Sequence, residues 1–201
     1  MLFSAFLFLS TGLLYKRKEE TDGGLVITAL DVGQGDCFLV RCGDKACLLD
    51  GGSSSESSVG EDVVENCLLT LGIRELDAVF VSHADEDHIS AIEYMLSADG
   101  NIAIKRLILP AAARENEEYE ELKGLFSERT GGSRIEYSDE GFCITMDKAY
   151  LKCIFAGAGG EDINRHSPVY LLGHGAFTML FTGDMTEDEE KEFHIRNAGL
   201  R

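Results

Sequence analysis

The segment Ser82-His83-Ala84-Asp85-Glu86-Asp87-His88 closes the strongly apolar run Leu76–Ser82 and opens a stretch with helical spacing, His88–Leu96. His83, Asp85, Asp87 and His88, all of the kind that ligate metals, fall within six residues. On a tight loop, His83 and Asp85 can point one way while Asp87 and His88 point another, so that one peptide serves two adjacent ions. Acids are also favoured in the first turn of a helix by its dipole, which accounts for Asp85, Glu86 and Asp87 without a metal. The two flanking histidines are not required by that explanation.

Working outward, apolar runs bounded by glycine predict strands at Leu25–Asp31, Cys37–Cys42 and Ala46–Asp50. Val59–Leu71 carries apolar residues at 63, 64, 67, 68 and 71, a helical face that Gly72 is placed to end. After the His88–Leu96 helix come a strand at Arg106–Leu109, stopped by Pro110, and a charged amphipathic helix at Glu115–Glu128. Strands are then predicted at Arg134–Tyr137, Phe142–Met146 and Ala149–Phe155, followed by a hairpin of Val169–Leu172 and Ala176–Thr182. Thr186-Glu187-Asp188-Glu189 is a capping box that opens a last helix. Strands lead, helices interleave and strands return, which predicts an α/β sandwich with sheets inside and helices outside.

The 201 residues carry 18 Lys plus Arg against 36 Asp plus Glu, a net charge of -18. Such a field repels phosphate backbones and excludes a basic nucleic-acid scaffold, because sequence-independent binding depends on cationic side chains that release counterions. The six cysteines form no CxxC pair and read as small buried apolar residues. Cys42 and Cys47 flank a turn, so a cross-hairpin disulfide is the alternative for a chain outside the cell.

Leu2–Tyr15 is almost wholly apolar and is followed by Lys16-Arg17-Lys18. It reads as a membrane or targeting segment, short of the roughly 20 residues of a full span. Residues 1–18 are therefore assigned to a membrane segment with a basic flank, 19–24 to a linker and 25–201 to the folded domain. The positive-inside rule puts the basic flank in the cytoplasm.

Two further signals accompany the histidine loop. Phe181-Thr182-Gly183-Asp184 puts an acid at the end of a buried strand, where α/β folds gather ligands. Asp31-Val32-Gly33-Gln34-Gly35-Asp36 and Asp50-Gly51-Gly52 follow other strands, and taken alone they are equally well explained as turns. His166, before the hairpin, is either another ligand or a surface residue, while His174 and His194 are read as structural.

Together, DVGQGD at 31–36, LDGG at 49–52, HADEDH at 83–88, NRHS at 164–167 and FTGD at 181–184 resemble the metallo-β-lactamase fold. More narrowly they resemble the C-terminal hydrolase-like domain of the ComEC family, the DNA-uptake channels of bacterial competence. The resemblance covers Leu25 to about Glu190, and even the apolar segment before Lys16 is similar to the end of the family's membrane part.

The resemblance implies an αββα sandwich with a two-metal site at one edge of the sheets. By position, His83, Asp85 and His166 hold one ion, Asp87 and His88 hold the second, and Asp184 bridges. Asp87 is the residue on which catalysis is expected to depend. Asp85 stands where the wider superfamily has His, and an oxygen in place of a nitrogen makes Mn²⁺ a competitor of Zn²⁺. Asp31, Asp36 and Asp50 are implied as supporting acids, with Asn164 and Ser167 supporting the loop of His166. The implied chemistry is hydrolysis of a phosphodiester, a single DNA strand or another, with a competence channel protein as partner on the outer side of the membrane. The family continues past the FTGD acid into another strand and a late histidine motif, so the fold is expected to be incomplete at its C-terminus. The alternative is accordingly a remnant or partner module that keeps the fold without its own activity.

Overall fold

The protein is described here by a computed structural model covering residues 23–130 and 134–196. Strands β1 (Leu25–Ala29), β2 (Phe38–Cys42) and β3 (Lys45–Leu49) form an antiparallel meander. To β3 are added, in parallel, β5 (Ala78–Phe80), β7 (Leu107–Pro110) and β8 (Ile135–Ser138), completing a six-stranded sheet of order β1-β2-β3-β5-β7-β8. The second sheet is antiparallel and four-stranded. Its order is β12 (Phe177–Phe181), β11 (Val169–His174), β10 (Ala149–Phe155) and β9 (Cys143–Met146).

Alternation along the strands divides the core between two layers, because successive side chains leave opposite faces. Leu39, Leu48, Val79, Leu107 and Leu109 face the helices. Those helices are α1 (Val59–Glu65, continued as Asn66–Thr70), α2 (Glu86–Leu96) and α3 (Glu120–Thr130). Val40, Cys47, Leu49, Phe80 and Ile108 face the other way, onto Ile144, Leu151, Cys153, Tyr170 and Leu172 of the second sheet. Helix α4 (Glu187–Arg196) lies against the second sheet through Phe193, 6.0 Å from the Phe155 ring. The architecture is αββα, with its second helical layer carried by α4 among the described residues.

Several boundaries differ from the sequence expectation. The strand expected at Leu76–Ser82 splits into β4 (Glu75–Leu76), which pairs with β6 (Ala103–Ile104), and β5. Asp77 is the break. Its carboxylate accepts the Ala46 N–H at 3.1 Å and its N–H donates to the Ala46 carbonyl at 2.8 Å. The first half of α1 is wound as a π-helix, which buries Gly60 against the Tyr94 ring and turns the buried Glu65 inward. There Glu65 accepts the N–H and side-chain amide of Asn101 at 2.6 and 2.9 Å. The Glu115–Glu128 helix starts later, after a 3-10 turn capped by Asn116, whose side chain accepts the Glu118 N–H.

All six cysteines are free, and the hairpin register sets Cys47 opposite Val40 and Cys42 opposite Lys45. The cross-hairpin disulfide is therefore not formed: the two side chains are not partners across the ladder. Burial pushes the Cys47 thiol up to about 12, as expected of an inert core residue. Gly23, at the end of the expected linker, is buried, and its carbonyl accepts from the Cys42 thiol and pairs with His174 Nε2 at 3.0 Å. The expected membrane segment, residues 1–18, lies outside the described residues. Among those described, no helix is long and apolar enough to cross a membrane.

Close backbone approach fixes the loops over α2. A Cβ on Gly52 would lie 2.6 Å from the His88 nitrogen, and one on Gly35 would meet the carbonyl oxygens of Asp87 and Gly52. Gly52→Ala is expected to destabilise the fold by ~1–3 kcal/mol through overpacking. Gly124→Ala, in α3 with nothing within 4 Å, is expected to stabilise it by ~0.4–1 kcal/mol. Urea denaturation midpoints of the two variants measure the contrast.

Candidate metal centre

The loops that follow β3, β5 and β12 converge at one end of the sandwich. Asp50 follows β3 with φ at 53°, a left-handed backbone in a non-glycine residue. From there its Oδ1 accepts the Ser82 N–H at 2.7 Å and its Oδ2 lies 3.3 Å from His88 Nδ1. His88, in the first turn of α2, thereby directs Nε2 toward Asp184, whose Oδ1 is 3.5 Å away. His83 is fully buried, its ring centroid 4.1 Å from that of His88. The Ser82 and Ser167 hydroxyls stand 2.9 and 3.4 Å from His83 Nδ1. Its Nε2 makes no hydrogen bond, although Asp85 Oδ2 stands 3.5 Å off in poor alignment.

Ligand atoms of His83, His88 and Asp184 lie within 4.8 Å of one another, and so do those of Asp36, Asp50 and His88. A buried nitrogen without a partner is costly, and a cation reached through Nε2 would satisfy it. Imidazole nitrogens beside carboxylate oxygens suit Zn²⁺ and Mn²⁺ alike. The residues present fit a divalent metal.

The electrostatics have the same origin. Burial and the neighbouring His88 hold the His83 imidazole below its ordinary pKa. Burial also opposes a charge on His88, but the hydrogen bond and charge of Asp50, with Asp184 and Asp87, outweigh it and bring His88 up to about 9. Burial and the charge of Asp50 raise the carboxyl of Asp36.

The remaining expected residues are arranged around this cluster. Asp85 is the half-exposed neighbour of His83, and the carbonyl of Asp87 accepts the Asp36 N–H at 3.2 Å. Neither belongs to the two convergent groups. His166 is buried, but Nδ1 meets the Tyr119 hydroxyl at 3.2 Å and Nε2 the Gly160 carbonyl at 3.0 Å, so both nitrogens are engaged elsewhere. Asp31 accepts its own turn's Gly33 N–H at 3.4 Å. The Asn164 carbonyl accepts the Ser167 N–H at 3.1 Å, which holds Ser167 near His83.

Sequence reasoning passed over Ser82, although it stands in the quoted motif. It also passed over Tyr119, whose contact with His166 spans 47 positions and leaves no local signal. Glu189 belongs to the capping box, where it accepts the Thr186 N–H, yet it also accepts the Ala158 N–H and so ties α4 to the loop before His166.

The metallo-β-lactamase superfamily model matches residues 30–199. This chain belongs to that superfamily. Its members are metal-dependent hydrolases. Among curated proteins, ComE operon protein 3 of Bacillus subtilis is 28% identical over 181 residues, covering 83% of this chain and 23% of that protein. Competence protein ComA of Neisseria gonorrhoeae is 31% identical over 84 residues, 42% of this chain and 12% of that one. The chain thus spans less than a quarter of either relative. Among solved structures, a metallo-β-lactamase with a HARLDQ motif from Cronobacter sakazakii superposes with a TM-score of 0.52 at 16% identity. That match covers 82% of this chain and 61% of the other and supports the fold.

Metal content tests the site. Elemental analysis of protein reconstituted with Zn²⁺ or Mn²⁺ is expected to find bound metal in the wild type, at least tenfold weaker binding in His88→Ala, and loss also in His83→Ala. His166→Phe is expected to retain metal, since both ring nitrogens already have partners.

Proposed function

We propose that this chain is a metal-dependent phosphodiesterase of DNA uptake that cleaves a single DNA strand, tethered to the membrane by Leu2–Tyr15. The observation that carries the hydrolytic reading is the buried His83 Nε2 without a hydrogen bond, facing a cluster completed by His88 and Asp184. The link to DNA uptake is supported by the two competence proteins among its relatives.

A divalent metal held there would polarise the scissile phosphate and lower the pKa of water to the neutral range. The protein's part is to hold the ligands ready. Asp50 fixes His88 through Nδ1, and Ser82 and Ser167 fix His83 through Nδ1, so both rings keep Nε2 for the cation. Asp184, nearly half exposed, stands where substrate can reach it. We assign Asp87 and Asp85 to the same site through the HADEDH motif, and Asp36 to positioning beside Asp50.

Hydrolysis of single-stranded DNA and of a generic phosphodiester with added Mn²⁺ or Zn²⁺ tests this reading. Turnover is expected to fall by at least 10²-fold in Asp184→Ala and in Asp87→Ala, the loss typical of a group that acts on the transition state. Absence of hydrolysis by metal-loaded wild type would instead support a module that keeps the fold without activity.

The tether is tested separately. The apolar surface of Leu2–Tyr15 favours leaving water by about 25 cal/mol per Å². The full chain is therefore expected to sediment with membranes, and a chain starting at Leu25 to stay soluble. Protease accessibility in intact cells then reads the side of the membrane.

A further inference from the structure

Gly23 is held among the turns at one end of the sandwich: its carbonyl meets the Cys42 thiol and His174 Nε2, and a Cβ on it would touch Asp147 and Lys148. The metal centre is built at the other end, after Leu49 of β3, Phe80 of β5 and Phe181 of β12. The two ends differ in surface. Of the five large apolar side chains left exposed among the described residues, Val26, Tyr150 and Phe177 belong to the Gly23 end. Val26 pairs with Arg41 beside the β2–β3 turn, Tyr150 follows the β9–β10 turn, and Phe177 stands opposite His174. An open groove of about 390 Å³ at this end joins Val26, Leu71 and Ile73 to Arg41 and Lys45. Charge is close to balanced here. β3, β5, β7 and β8 are parallel and all start at this end, where Lys45, Lys105 and Arg106 pair with Asp77, Glu75 and Glu136. The exposed Arg74, Arg129, Arg134 and Lys148 offset Asp44, Asp99, Glu128 and Asp147. The opposite end gathers Asp31, Asp36, Asp50, Asp85, Asp87 and Asp184.

We propose that the Gly23 end is a docking face for an anionic phospholipid surface, which turns the metal centre away from the bilayer; the proposal rests on the membrane tether read above from Leu2–Tyr15. Chain length limits the alternatives. From Lys18, at the edge of the tether, to Gly23 the chain reaches at most about 18 Å, so the Gly23 end stays close to the lipid headgroups. Charge then chooses the orientation. Anionic lipid attracts Lys and Arg beside the membrane, and Lys16-Arg17-Lys18 adds three cations next to the balanced end. The five residues of β3 alone set the acids of the metal end about 16 Å farther out, beyond the Debye length of about 8 Å at physiological salt. Turned over, the chain would press those acids onto the lipid. Exposed aromatic side chains beside cations suit the headgroup level, where apolar and charged groups are both accommodated. In the docked orientation a substrate reaches the metal centre from water.

The chain has no tryptophan, so a single introduced one reports its own surroundings. Full-length Phe177→Trp, Tyr150→Trp and Gln34→Trp are reconstituted with vesicles of phosphatidylglycerol and brominated phosphatidylcholine, whose bromine quenches nearby indole. Gln34 is the control, exposed in the loop beside the metal centre. Phe177→Trp and Tyr150→Trp are expected to lose at least half of their emission, with a blue shift, and Gln34→Trp to be unchanged. Adding Arg134→Glu and Lys148→Glu to Phe177→Trp is expected to reduce the quenching at least twofold while the chain still sediments with the vesicles. Sedimented protein in which neither Phe177→Trp nor Tyr150→Trp is quenched, or in which Gln34→Trp is quenched as strongly, overturns the proposal. Vesicles of phosphatidylcholine alone separate the two readings, since the tether inserts in either lipid and the face docks on the anionic one. Sedimentation with both lipids and no quenching keeps the tether and removes the docking face. Sedimentation and quenching with the anionic lipid only do the reverse, and no sedimentation with either removes both.

Discussion

Asp50 is the joint on which the metal end of the sandwich depends. Its N–H donates to the Phe80 carbonyl at 2.8 Å, one carboxylate oxygen takes the Ser82 N–H, and the other faces His88 Nδ1. One residue thus ties the end of β3 to the end of β5 and to the first turn of α2. The left-handed backbone at Asp50 is unfavourable for a residue with a Cβ, by roughly 1–2 kcal/mol. It persists because three strong contacts over-determine it, a pattern found where strain serves a site.

From that joint the ligand geometry follows. With His88 Nδ1 occupied by a carboxylate, only Nε2 is left to face Asp184. With His83 Nδ1 between two hydroxyls, only Nε2 is left without a partner. The glycines around the loops belong to the same construction, since Gly35 and Gly52 let two loops rest directly on the backbone of residues 86–88. A side chain there would lift the loops off α2 and separate the acids from the histidines.

The chemistry and the surface charge are complementary rather than opposed. Acids crowd His88 enough to hold a proton on it in the absence of a cation, which is the electrostatic signature of a place suited to positive charge. The same acids repel other anions as long as no cation is held among them.

The sequence by itself determined the fold class and the neighbourhood of the site, because both are written in local pattern. Apolar runs between glycines gave most strands to within one or two residues, and the type and spacing of His83, Asp85, Asp87 and His88 marked a candidate metal site, of which His83 and His88 fall in the convergent groups. The motifs also marked Asp50 and Asp184 at strand ends. Tertiary structure alone decided which atoms face which. The partition of ligands between two ions came from resemblance, whereas the packing sets His83 beside His88 and turns His166 toward Tyr119, a residue 47 positions away that no local pattern connects to it. Nor could spacing reveal that Gly35 and Gly52 serve close approach as well as turning, or that Phe38, Phe80, Tyr170 and Phe181 from both sheets enclose one cavity. Such contacts depend on distance in space, and the chain encodes them only through the sum of its packing.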